Sequence, residues 1–132
     1  MKKQSKSDKN EIAKRLNQWK ELKVYLRFHV TIQDLSREIG INRTYLSNFI
    51  NETYGENFNN WINRLRINEA KYKILTTSED SLSEIARKIG FADLAHFSKI
   101  FKRKEGISPS DWKKQNIKDD KITSNNSCSF FC

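Results

Sequence analysis

The chain writes one small unit twice. "TIQDLSREIGINRTYLSNFINETYG" fills residues 31–55, and "SLSEIARKIGFADLAHFSKIFKRKEG" fills 81–106. At an offset of 50, Thr31 meets Ser81, Asp34 meets Glu84 and Leu35 meets Ile85, while Arg37, Ile39 and Gly40 return as Arg87, Ile89 and Gly90. Beyond the glycine the offset becomes 51: Leu46, Ser47, Phe49 and Ile50 meet Phe97, Ser98, Ile100 and Phe101. Gly55 then meets Gly106, and Trp61 meets Trp112. One extra residue has entered near the turn of the second copy. A chain of 132 residues has room for one ordinary domain, or for two very small subdomains sharing a connection.

Each copy reads as two short helices around a turn. Thr31-x-x-Asp34 and Ser81-x-x-Glu84 have the spacing of a helix start, with Asp34 the looser fit. The hydroxyl accepts a first-turn N–H, and the acid three residues on suits the positive end of the helix. Leu35 with Ile39, and Ile85 with Ile89, are spaced to bury together, and Gly40 and Gly90 end the helices where a positive φ costs nothing. A second helix within about three residues is the helix-turn-helix arrangement.

In 43–51 the expected buried stripe is Tyr45, Leu46, Phe49 and Ile50, leaving Arg43, Thr44, Ser47, Asn48 and Asn51 outward. In 93–104 it is Phe97, Ile100 and Phe101, leaving Ala95, Ser98, Lys99 and Lys102 outward. Such faces suit the major groove: Ser, Asn and Lys can hydrogen-bond base edges, and Ala or Thr methyls can touch thymine methyls. A solvated helix face is the plainer reading of one such stripe, and its repetition in a basic chain favours DNA.

Two further helices complete an all-α reading, since no run alternates with period two. Ile12, Leu16, Trp19, Leu22 and Leu26 recur on one face of a helix beginning near Glu11. Residues 58–75 form a connecting helix whose first half buries Trp61, Ile62 and Leu65, and whose second half buries Ile67, Ala70 and Ile74. The apolar stripe rotates midway, as it would if each end packs on a different unit.

The 25 basic and 16 acidic side chains leave a formal charge of +9. Residues 115–132 hold two Lys and two Asp, so the excess lies in 1–114 and points to a polyanionic partner. No apolar run could span a bilayer, and "MKKQSKSDKNEIAKR" lacks a signal-peptide core, so a cytoplasmic protein without membrane contact is expected. Cys128 and Cys132 lack the companions of a zinc site, and no metal or cofactor is expected. Neither a phosphate loop nor a nucleophile–base pair is present, and the two His, His29 and His96, are not placed as one, so an enzyme is not expected. The rival is a protein-interaction or dimerisation module of a larger signalling regulator, in which one helix-turn-helix binds a protein or the stripe from Ile12 to Leu26 dimerises.

Gly90-Phe91, Phe97, Phe101-Lys102, Gly106, Ser108-Pro109 and Trp112-Lys113, with Arg66-Ile67-x-x-Ala70, closely resemble the pattern of the AraC/XylS family of bacterial transcription regulators. The resemblance covers roughly residues 20–113. "NRTYLSNFIN" and "KVYLRFHVTIQDLS" are similar to the C-terminal ends of Bacteroidetes-type sensor-regulators. Lys113 replaces the family's usual Arg, His96 stands where Tyr is frequent, and Leu94 takes an often polar position, suggesting a less polar contact. The resemblance implies two helix-turn-helix subdomains on one long helix, each reading one of two successive major grooves to regulate transcription. Thr44, Ser47 and Asn48 take its reading positions in the first unit, and Leu94, Ala95, Ser98 and Lys99 in the second. Arg43, Lys102, Arg103 and Lys104 are assigned to phosphates, and His96 to a partly buried position or a phosphate. RNA polymerase is a further expected partner, and a sensor domain is expected upstream or in a partner. The expected divisions are a flexible basic start at 1–10, an N-terminal helix and first unit at 11–57, the connecting helix at 58–76, a second unit at 77–114, and a disordered tail at 115–132.

Overall fold

The computed structural model describes residues 6–77 and 79–123, with side chains placed over 9–77 and 79–116. Among these the chain is all-helical: α1 (Lys6–Glu21), a 3-10 turn (Val24–Leu26), α2 (Ile32–Ile39), α3 (Arg43–Tyr54), α4 (Phe58–Thr76), α5 (Leu82–Lys88), α6 (Leu94–Glu105) and α7 (Pro109–Thr123). It divides into two units inside α4, between Arg66 and Ile67.

Local chemistry sets the helix starts. Thr31 Oγ1 accepts from the Asp34 N–H at 3.1 Å, and Asp34 Oδ2 accepts from the Thr31 N–H at 3.1 Å. Ser81 and Glu84 repeat this reciprocal pair at 3.1 and 2.8 Å. Both capping boxes are complete, and the looser fit expected of Asp34 shows in its longer bond to the cap N–H, 3.1 Å against 2.8 Å for Glu84. Gly40 caps α2 in the left-handed region at φ 72, whereas α5 is capped by Ile89, with Gly90 just beyond at φ 97.

Backbone bonds locate the extra residue. The Ile41 N–H donates to Ser36 O at 3.2 Å, and the Phe91 N–H donates to Ala86 O at 3.0 Å. These are the same bond at an offset of 50, yet the caps of α3 and α6 are Asn42 and Asp93, an offset of 51. Ala92 is therefore the insertion.

In the first unit, Ile12, Leu16 and Trp19 of α1 join Tyr25, Leu35, Leu46, Ile50, Phe58, Trp61 and Ile62 in one core. Trp61 stacks on Tyr54 at 5.3 Å and on Trp19 at 6.1 Å between ring centres. Arg15 Nη1 donates to Ile39 O at 2.7 Å, satisfying a carbonyl at the end of α2. The stripe of α1 is thus consumed within its own unit. Its expected continuation through Leu22 is corrected: α1 ends at Glu21, Lys23 turns at φ 57, and Leu22 is 76% exposed. The turn breaks the helical phase, and Tyr25 takes the buried place instead, with Leu26 half-buried in the 3-10 turn.

The second unit buries Ile67, Ala70 and Ile74 of α4 with Ile85, Ala86, Ile89, Phe91, Phe97, Ile100 and Phe101. Phe101 sits between Phe97 at 5.6 Å and Trp112 at 5.9 Å, edge to face with both. Such pairs add about 0.5–1.5 kcal/mol beyond area burial. Lys71 Nζ meets Glu105 Oε2 at 3.1 Å, tying α4 to α6 within this unit.

α1 begins at Lys6 and α7 extends to Thr123, so these helices run across the expected divisions at 10 and 114. Cys128 and Cys132 lie outside the described residues. No helix among the described residues is long and apolar enough to cross a membrane.

Candidate nucleic-acid interface

The candidate face of the first unit is built by a side-chain cap. Asn42 Oδ1 accepts from the Thr44 N–H at 2.8 Å and the Tyr45 N–H at 3.4 Å, starting α3. Leu46 and Ile50 then anchor the helix in the core at 0% exposure. On the other side Arg43, Thr44 and Asn48 are exposed and Ser47 is half-buried. These four residues and Ile32 line one surface recess of about 320 Å³, so the structure brings together the whole predicted set of this unit. Asn51 is exposed as expected, but its amide donates to Ser47 O at 3.0 Å.

Tyr45 corrects the expected stripe: it is 39% exposed. It lies one residue, about 100°, from Leu46, and that rotation carries it off the core face. With Asn48, Glu52 and Lys9 it borders a second recess, of about 160 Å³. An aromatic next to Leu46 has the pattern of a core residue, which is why the sequence alone places it in the buried stripe. Asn42 lies outside the expected set; an Asn directly before Arg43 is the residue type that favours a helix cap.

The second unit repeats the arrangement with other side chains. Asp93 Oδ1 accepts from the His96 N–H at 2.8 Å, starting α6. Leu94, Ala95, His96, Lys99, Lys102 and Arg103 are exposed, and Ser98 and Lys104 are half-buried. The exposed His96 ring meets Phe91 edge to face at 5.2 Å, so the expectation of partial burial is corrected while the ring remains braced. At the offset of 51, Arg43, Thr44, Ser47 and Asn48 correspond to Leu94, Ala95, Ser98 and Lys99.

Lys9, Arg15, Arg27, Arg37, Arg64, Lys71, Lys73 and Lys88 each hold a carboxylate. Among the described residues, no such pair engages Arg43, Lys99, Lys102, Arg103 or Lys104. Lys102, Arg103 and Lys104 also lie in the last turn of α6, where positive charge suits the helix dipole. Glu105, the acid on that turn, is held by Lys71. The exposed face of α6 therefore keeps its positive charge.

Two capped helices at matching places in two repeated units, each presenting such a face, define a double helix-turn-helix protein. The chain belongs to the AraC-type helix-turn-helix family: the family described as "Helix-turn-helix domain" matches residues 35–115. The HTH-type transcriptional regulator YisR of Bacillus subtilis is 36% identical over an alignment of 94 residues that covers 68% of this chain and 32% of that protein. The chain thus spans about a third of the length of the curated relatives it matches. The C-terminal domain of AraT, a response regulator from Geobacillus stearothermophilus, is 26% identical with a TM-score of 0.71, over 79% of this chain and 84% of that one. The DNA-binding domain of AdpA, solved in complex with a target DNA, shares the fold with a TM-score of 0.68 at 20% identity, over 80% of this chain and 91% of that one.

Proposed function

We propose that this chain binds duplex DNA sequence-specifically through α3 and α6 and thereby regulates transcription. One observation carries the reading: helices at the same place in both repeats turn polar or cationic groups outward, and the cations there are not committed to carboxylates. Thr44, Ser47 and Asn48 read bases in one box, and Leu94, Ala95, Ser98 and Lys99 in another. Arg43, Lys102, Arg103 and Lys104 hold phosphates, which position the protein without reading sequence. His96, braced on Phe91, also approaches a phosphate. The two boxes differ because the two sets of groups differ.

The chain works in the cytoplasm as a binding module, not an enzyme. Its relatives are about three times as long, and AraT contributes its matching domain from the C-terminal end of a response regulator. Both support a sensor domain elsewhere in the parent protein or in a partner; RNA polymerase is proposed as the next partner once DNA is bound.

Selection of bound sequences from a random duplex library, repeated over a range of salt, tests the reading. The expected outcome is a non-palindromic site with two distinct boxes. The log–log salt slope should be about −0.9 per phosphate contacted. A flat salt response, or no enriched sequence, overturns it.

A further inference from the structure

The leading turn of α6 is the one part of either candidate reading face that begins with apolar side chains. Leu94 is 38% exposed and Ala95 is exposed, although Phe97 in the next turn is fully buried. The repeat supplies an internal comparison, because the same places in α3 hold Arg43 and Thr44. The Asp93 carboxylate accepts from the His96 N–H at 2.8 Å, and the His96 ring rests on Phe91 at 5.2 Å. The cations of α6 begin only at Lys99.

The first residues of a recognition helix are those that reach base edges. A leucine there has no donor or acceptor, so opposite most base edges it would strip water from polar atoms and give nothing back. The thymine C5-methyl group is the major-groove feature that rewards apolar contact. Ala95 alongside is small enough to let the base edge approach. Resting on the DNA-binding reading above, we propose that Leu94 is a specificity residue that reads a thymine methyl group in the box bound by the second unit.

The test uses the selected site and replaces its thymines one at a time with deoxyuridine, which removes only the methyl. With the unmodified chain, one such replacement in one box should weaken binding about fourfold, the worth of one buried methyl. Replacements in the other box should leave the Leu94-dependent effect untouched. Leu94→Ser and Leu94→Ala should each bind the thymine and uracil duplexes equally at that position. Leu94 starts a helix and lies outside the core, so circular dichroism melts of both variants should match the parent. If the selected site has no thymine whose methyl matters, or if both variants keep the full discrimination, the proposal is overturned while sequence-specific binding stands. If no preferred site is recovered, the DNA-binding reading itself has failed.

Discussion

Arg66, only 8% exposed on α4, donates from Nε to the main-chain oxygen of Tyr25 at 2.8 Å. Its Nη2 donates to Arg27 O at 2.7 Å, so one planar group holds the middle and the exit of the 3-10 turn. Burial lowers its pKa from the ordinary guanidinium value, yet a guanidinium remains protonated in proteins. From the same turn Arg27 reaches Glu38 of α2, which also accepts from Trp19 Nε1 of α1 at 3.0 Å. The path α4, turn, α2, α1 is closed by charged hydrogen bonds inside the first unit.

Arg66→Met should therefore destabilise the first unit by ~3 kcal/mol, since two charge-assisted bonds go and two carbonyls lose their donor. Arg66→Lys should recover only part of this, because an ammonium lacks the fork that spans two oxygens. Urea denaturation followed by tryptophan fluorescence measures both. An unchanged midpoint in the Met variant would show that the turn is held by packing alone.

Phe101→Ala should cost the second unit ~3–5 kcal/mol, the usual loss for a buried Phe. The ring is at 0% exposure between Phe97 and Trp112. Thermal melts by circular dichroism report it. A variant that melts with the parent would contradict the core described for that unit.

Readers and phosphate contacts should separate in binding assays. Asn48→Ala and Lys99→Ala should each lose ~1–3 kcal/mol of discrimination at one base pair while folding normally. Lys102→Ala should instead weaken all sequences alike and make the salt slope shallower by about 0.9. A change of preferred sequence in the Lys102 variant would reverse its assignment.

The Arg27 guanidinium, hydrogen-bonded to Glu38, holds that carboxyl below its ordinary 4.5, with the Trp19 N–H adding to the effect and partial burial opposing it. A folded-state pKa below the unfolded one gives stability that is present above the unfolded value and lost as pH falls through the folded one. Glu38→Gln should be less stable than the parent at neutral pH, and its stability should decline less steeply below about pH 4.5. Parallel acid-denaturation slopes for the two proteins would remove Glu38 from the account.

Much was legible in the sequence because it is decided locally. The capping boxes at Thr31 and Ser81 depend on side chains three residues apart. The outward polar faces of α3 and α6 follow from helical periodicity about Leu46, Ile50, Phe97 and Phe101, each fully buried. Where local rules compete with geometry they fail, as at Leu22, which keeps the period of α1 but lies beyond the turn that ends it.

By itself the sequence determined that two copies of one helical unit exist, where the first helix of each starts, and which polar and cationic side chains α3 and α6 turn outward. Each of these depends on neighbours within a few residues of the chain. Only the tertiary structure decided that Tyr45 stands half in solvent beside Asn48, and that Arg66 closes the turn at Tyr25 from 41 residues away. It alone also placed the added residue at Ala92, by showing which backbone bonds and caps correspond. Burial and long-range hydrogen bonds depend on what the folded chain brings alongside, and a linear pattern carries that only indirectly.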